Sequence, residues 1–201
     1  MYSNLNPKYI VSTIPAPVPT AHLQNYVSTR LLALRTNPDS FSSTHERESA
    51  FSTDEWRSRI DPSNRVTFFA TQQSDTDATG PPRGEWVALL STLSPAFFAS
   101  VNYHPPPMLS VSFSDSDFYI MVGLWVHPSH RRHGLAKRLI TGSIDYVCGV
   151  ASNSRKTLLL AEVHKANDSA AGLYRSMGFE DVGEDIDTCS VWFALSCQGW
   201  E

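Results

Sequence analysis

The apolar run FYIMVGLWV, residues 118–126, breaks directly into the basic stretch HPSHRRHGLAKRL, residues 127–139. Nine residues without a charge, rich in aromatic and β-branched types, read as a strand. Pro128 cannot donate to a sheet ladder, so the strand ends there. Gly134 then opens a helix that the pattern carries to about Val147. A strand, a tight turn and a helix in this order point the first backbone N–H groups of the helix beyond the strand end. The helix dipole adds partial positive charge at the same place, which makes it an anion site. Four of the chain's sixteen Lys and Arg residues sit in those thirteen positions, in a protein whose net charge is −4.

Which anion this is can be narrowed. GxxxxGK[ST] and GxGxxG are both absent, so neither a nucleoside-triphosphate loop nor a dinucleotide fingerprint is present. The acidic balance and the lack of aromatic residues among the basic ones argue against nucleic acid as a partner. His127, His130 and His133 follow an i, i+3, i+6 spacing that matches no common zinc motif, and Pro128 interrupts any helix that could present them together. No metal is expected. An ordinary solvated helix start, with Gly134 serving packing alone, stays open on spacing.

At 201 residues and 41% hydrophobic content the chain reads as one domain with a real core. The longest apolar run is far short of a membrane span, so no membrane partner is expected. The beginning of the chain is a poor secretory signal. The cysteines Cys148, Cys189 and Cys197 are odd in number and lack CxxC spacing, which argues against a disulfide framework and suits a reducing compartment. Cytoplasm is the expected location, with the nucleus open.

Strands and helices alternate along the rest. Strands are expected at 9–14, 66–71, 85–93, 157–163 and 191–196. A helix over 20–36 carries Leu23, Val27, Leu31 and Leu34 at helical spacing, and a second over 46–60 has Ala50, Phe51, Trp56 and Ile60 as anchors. Asn167 or Asp168 caps another, running to about Met177. Residues 94–116 read as a long irregular loop. The class is α/β or α+β.

Two stretches together resemble a known family. Arg131-x-x-Gly134-x-Ala136 after an apolar strand is similar to the acetyl-CoA signature of the GCN5-related N-acetyltransferases, the GNAT superfamily. AEVHKANDSAAGLYRSMGFEDVG, residues 161–183, resembles that superfamily's second signature, a strand and an Asn followed by a helix ending Leu-Tyr-x-x-x-Gly-Phe. The resemblance is sharp over 118–183 and architectural before that. It implies one acetyltransferase domain over 1–201, with the loop 94–116 as an insertion. The implied GNAT fold is a mixed, mostly antiparallel sheet of about six to seven strands flanked by about four helices, splayed at a central parallel pair.

The resemblance also implies a cosubstrate, acetyl-CoA, and an amine acceptor. Its pyrophosphate would rest on the amides of Arg132, His133, Gly134, Leu135 and Ala136, with Arg131 beside them. Its pantetheine arm would pair with the strand edge at Leu124, Trp125 and Val126, and Asn167 would bond the arm or serve only as a helix cap. Tyr174 matches the family's frequent general acid, although Ala170, Leu173, Tyr174 and Met177 also form one apolar helix face.

Glu162 is the only charged residue in TLLLAEV and shares a face with Leu158 and Leu160 by alternation. It is expected to be partly buried, with a raised pKa suited to a general base. The alternative is a carboxylate paired with His164 or a lysine, leaving His127, Asp117, His164 or a water chain as the base. A silent acyl-CoA-binding regulatory module, or an interaction subunit docking through 94–116, are the competing functions. Oligomeric state, monomer or homodimer, stays open.

Overall fold

The computed structural model describes residues 8–73, 84–103, 116–151 and 155–198. Seven strands form one sheet: β1 (Tyr9–Thr13), β2 (Arg65–Gln72), β3 (Trp86–Leu93), β4 (Ser116–Val126), β5 (Lys156–His164), β6 (Glu180–Asp185) and β7 (Ser190–Ser196). Their order is β1-β2-β3-β4-β5-β7-β6. Every pairing is antiparallel except β4 with β5. Six α-helices accompany them among the described residues: α1 (Thr20–Thr36), α2 (His45–Ser49), α3 (Thr53–Ser58), α4 (Pro95–Ser100), α5 (Leu135–Val150) and α6 (Asp168–Arg175).

Alternation along the strands divides the core between two faces. One face presents Phe68, Ala88, Leu90, Met121, Leu159 and Ala161 to α5 and α6, whose Leu139, Ile140, Ile144, Val147 and Tyr174 complete that cluster. The other presents Phe69 and Trp86 to α1 and α3, with Phe69 and Trp86 stacked at 4.0 Å. Farther along this second face, Leu93, Ile120, Leu158, Leu160, Trp192 and Ala194 pack with Phe98 of α4. Each helix therefore covers one face, and the sheet separates α5 from α1.

Three expectations change. The helix read over 46–60 is two, because Ser52 takes an extended conformation and caps α3. Glu55 N donates to Ser52 Oγ at 3.3 Å and Ser52 N donates to Glu55 Oε2 at 2.7 Å, a reciprocal cap that starts a new helix rather than continuing the old one. Ala50, expected as an anchor, is exposed. The stretch 94–116 begins as α4, with Pro95 at its first turn, while 104–115 lies outside the described residues.

The cysteine reading is corrected as well, since Cys148 near the end of α5 is bonded to Cys197 just past β7, with Cα atoms 5.0 Å apart. Partners separated by 49 residues meet only through the packing of α5 on the sheet, which local spacing does not report. Cys189 is free and exposed. No helix among the described residues is long and apolar enough to cross a membrane.

Candidate functional site

β4 and β5 pair in register from Ser116 with Lys156 to Met121 with Ala161, and the pairing stops there. Beyond that point β4 continues to Val126 against β3 alone, and β5 continues to His164 against β7 alone. The register of β4 on β3 shifts between Leu89 and Ser91, opposite Val122 to Trp125, and Gly123 takes φ +68°. A bulge of this kind bends and twists its strand, which turns the end of β4 away from β5. The result is a wedge with an open strand edge on each side. Val122, at its mouth, is 37% exposed although apolar.

The signature loop closes the upper end of the wedge. Gly134 caps α5 at φ +74°, a left-handed conformation that disfavours any side chain, and a Cβ built there would meet nothing within 4 Å. Arg132 is left-handed too, at φ +65°. Among the described residues, the amides of Arg132, His133 and Gly134 donate to no backbone acceptor. The first-turn amides of α5 lack helical partners by geometry. These donors lie at the N-terminus of α5, where an anion such as a phosphate group is favoured.

Arg131 is tied into the fold around the loop. Its Nε donates to the Val126 carbonyl at 3.1 Å and its Nη2 to Asn37 Oδ1 at 2.8 Å. The same Asn37 oxygen accepts from Trp125 Nε1 at 3.0 Å. Asn37 ends α1, so one amide oxygen joins that helix, the end of β4 and the loop. From the other side, the Tyr9 hydroxyl bonds His130 Nδ1 at 3.0 Å, and Arg138 Nη2 donates to the Tyr9 carbonyl at 3.1 Å. Burial, followed by His127 and His133, holds the His130 pKa below its ordinary value. The histidines thus pack the loop onto β1, and the described residues hold no cluster of three or more potential metal ligands.

Leu124, Trp125 and Val126 occupy the free edge of β4. Trp125 is buried towards α1, whereas Leu124 and Val126 pack on the α5 side. Asn167 caps α6, its Oδ1 accepting from Ala170 N at 3.1 Å, so the capping role is realised. Tyr174 is buried on α6 against Phe179 and Phe193. Burial pushes its phenol pKa well up, so it stays protonated across the working pH range.

Glu162 departs from expectation, since its side chain is exposed rather than partly buried. Its partner is neither His164 nor a lysine, because Ser190 Oγ on the neighbouring strand donates to Glu162 Oε1 at 2.6 Å. Lys165 is taken by Glu184 at 2.6 Å, and His164 Nδ1 accepts from Ala166 N. Glu162 faces water because β5 has lost β4 as its neighbour at that point and continues against β7 alone. Sequence reasoning missed Asn37, Ser190 and Tyr103. The Tyr103 phenol, on the exposed residue that follows α4, has its pKa raised by partial desolvation and then by the nearby Glu162 and Asp185 carboxylates.

The family model described as Acetyltransferase (GNAT) family matches residues 39–179. Solved structures with a similar fold include Arabidopsis thaliana NAA60 in complex with acetyl-CoA, at 15% identity and TM-score 0.58, covering 96% of this chain and 100% of that one. The ribosomal-protein-S18-alanine N-acetyltransferase from Escherichia coli superposes at TM-score 0.53 and 18% identity, covering 94% of each chain. FeeM, an N-acyl amino acid synthase from uncultured soil microbes, gives TM-score 0.59 at 11% identity, covering 96% of this chain and 93% of that chain. No curated protein matches the sequence.

Proposed function

The chain belongs to the acetyltransferase (GNAT) family, and from that premise we propose that it transfers an acetyl group from acetyl-CoA directly to a primary amine. The observation that carries the reading is the wedge where β4 and β5 part after Met121 and Ala161, with unpaired loop amides at its upper end. An extended, amide-bearing arm suits an open strand edge, and a pyrophosphate suits a helix N-terminus. Acetyl-CoA supplies the activated thioester.

The chain's residues then have distinct tasks. Amides of Arg132, His133, Gly134, Leu135 and Ala136 hold the pyrophosphate, and Arg131 serves by fixing the loop to Val126 and Asn37. The edge of Leu124, Trp125 and Val126 aligns the arm, and a backbone N–H of this segment faces the carbonyl oxygen where negative charge develops. Asn167 holds the start of α6 against the arm. Glu162 takes the proton of the attacking amine as the new C–N bond forms. Tyr174 gives its proton to the departing sulfur as the C–S bond breaks. Burial keeps the phenol protonated but also makes it a weaker acid, so the transfer needs a thiolate that is itself poorly solvated.

Steady-state rates from about pH 6 to 9.5 with a competent amine test these roles. Tyr174→Phe keeps the ring and its packing, so acetyl-CoA binding survives while turnover falls by roughly 10²–10⁴-fold. Glu162→Gln loses most activity near neutrality and recovers at high pH, where more of the amine is already neutral. Near-native turnover in Tyr174→Phe, or a loss in Glu162→Gln that is even across pH, contradicts the assignment.

A further inference from the structure

Arg30 is an unusual residue to find in a helix core, being only 6% exposed on α1. Its Nε donates to Glu48 Oε2 at 2.9 Å and its Nη2 to Glu48 Oε1 at 2.7 Å, while the Phe41 ring lies 4.6 Å from the guanidinium carbon. The partly exposed Arg59 shares the Glu48 carboxylate through Nη2 at 3.2 Å, so the group of three retains one net positive charge. Nη1 of Arg30 is left over. Among the described residues it donates to no acceptor. It faces the β4 bulge, where a Cβ built on Gly123 would lie 3.5 Å from it. A guanidinium nitrogen that makes no protein hydrogen bond, on a side chain otherwise fixed by Glu48, is available to an acceptor oxygen.

Its place relative to the wedge defines which oxygen. Gly123 is two residues past Met121, the last β4 residue paired with β5. Glu162 is one residue past Ala161 on the opposite arm. It shares the face of Leu158, Leu160 and Trp192, the face that α1 and α4 cover. The loop amides belong to α5, which packs on the other face. A cosubstrate held by that loop reaches the wedge from the α5 side, leaving the α1 side to the acceptor. On that side the wedge has a cation on its β4 arm and a carboxylate on its β5 arm. Adjacent strands are about 4.8 Å apart where paired, and they part beyond Met121 and Ala161, which leaves an opening between the two groups.

We propose that Arg30 selects the acceptor by binding a carbonyl or carboxylate oxygen on the carbon next to the amine, so that the substrate is an α-amine of an amino acid or a peptide terminus. The inference rests on the transferase reading, in which Glu162 receives the amine. A lysine side chain or a simple alkylamine has no oxygen at that distance and leaves Arg30 unpaired.

Initial rates with acetyl-CoA and four acceptors test it: leucine, leucinamide, isoamylamine (the same side chain and amine without the carbonyl) and an α-blocked lysine. In the unaltered protein, kcat/KM for leucine or leucinamide exceeds that for isoamylamine by roughly 10–10²-fold, the value of a hydrogen bond to a charged group. A preference for leucine identifies free amino acids, and a preference for leucinamide identifies peptide termini. In Arg30→Gln, which keeps a donor for Glu48, the loss falls on the carbonyl-bearing acceptor and the ratio collapses towards one. The comparison in the unaltered protein stands even if that variant fails to fold. Equal rates for leucinamide and isoamylamine, a preference for the blocked lysine, or a ratio that survives in Arg30→Gln overturns the inference alone. Transfer to none of the four overturns the transferase reading with it.

Discussion

Glu48 shows how a single residue can set conditions for the whole acceptor side. It is fully buried on α2, and burial alone would favour its neutral form. Arg30 and then Arg59 outweigh that and hold its pKa below the ordinary glutamate range. The sign of the linkage follows. A carboxyl lowered on folding stabilises the protein above its unfolded pKa, and that contribution is lost as pH falls through the folded value. Glu48→Gln should therefore cost about 3–5 kcal/mol near neutrality, as expected when a buried pair is broken. It should also flatten the fall in stability on the acid side. Urea unfolding midpoints from neutral pH down through the carboxylate range measure both, and an unchanged acid slope would separate Glu48 from the acid response. Nothing at the sequence level marked this residue. Glu48 sits in the polar stretch HERES, and only the spatial neighbour Arg30, eighteen positions away, makes its burial tolerable.

Among the elements, legibility followed the strength of local signals. The long apolar strands and α5 were readable because many residues agree on one period. Short elements were not. β6, EDVGED, has almost no apolar content and exists because β7 offers it an edge. The division of α2 from α3 turns on one reciprocal cap at Ser52. The motif residues of the site were legible from the two signatures, whereas Asn37 was not, because its contacts lie 88 and 94 positions away. Asn37 also carries a prediction at this scale. Asn37→Ala removes the acceptor of two donors, so stability falls by about 1–3 kcal/mol and the KM for acetyl-CoA rises as the loop loosens. Asn37→Asp keeps an acceptor for Arg131 and should hold KM near the native value. Thermal melts and initial rates of both variants provide the check, and equal KM values in all three proteins would reduce Asn37 to a helix end.

For the molecule as a whole, the proposed transfer depends on the sheet having two unlike faces joined at one opening. The α5 face carries unpaired amides at a helix start, and the α1 face carries Arg30 and Glu162. In the proposed transfer, a thioester and an amine brought from opposite sides meet where β4 and β5 part. The loop amides are the part of this account on which every other role depends. The most direct test is the melting temperature of the intact chain with and without acetyl-CoA, compared with Gly134→Val. At about 100 times Kd, a ligand of the native state adds about 2.7 kcal/mol. For a chain this size that raises Tm by roughly 5–10 °C. The account predicts this rise in the native sequence and its loss in Gly134→Val, where strain at φ +74° closes the cradle but leaves the core intact. An undiminished rise in Gly134→Val, or none in the native sequence, would contradict it.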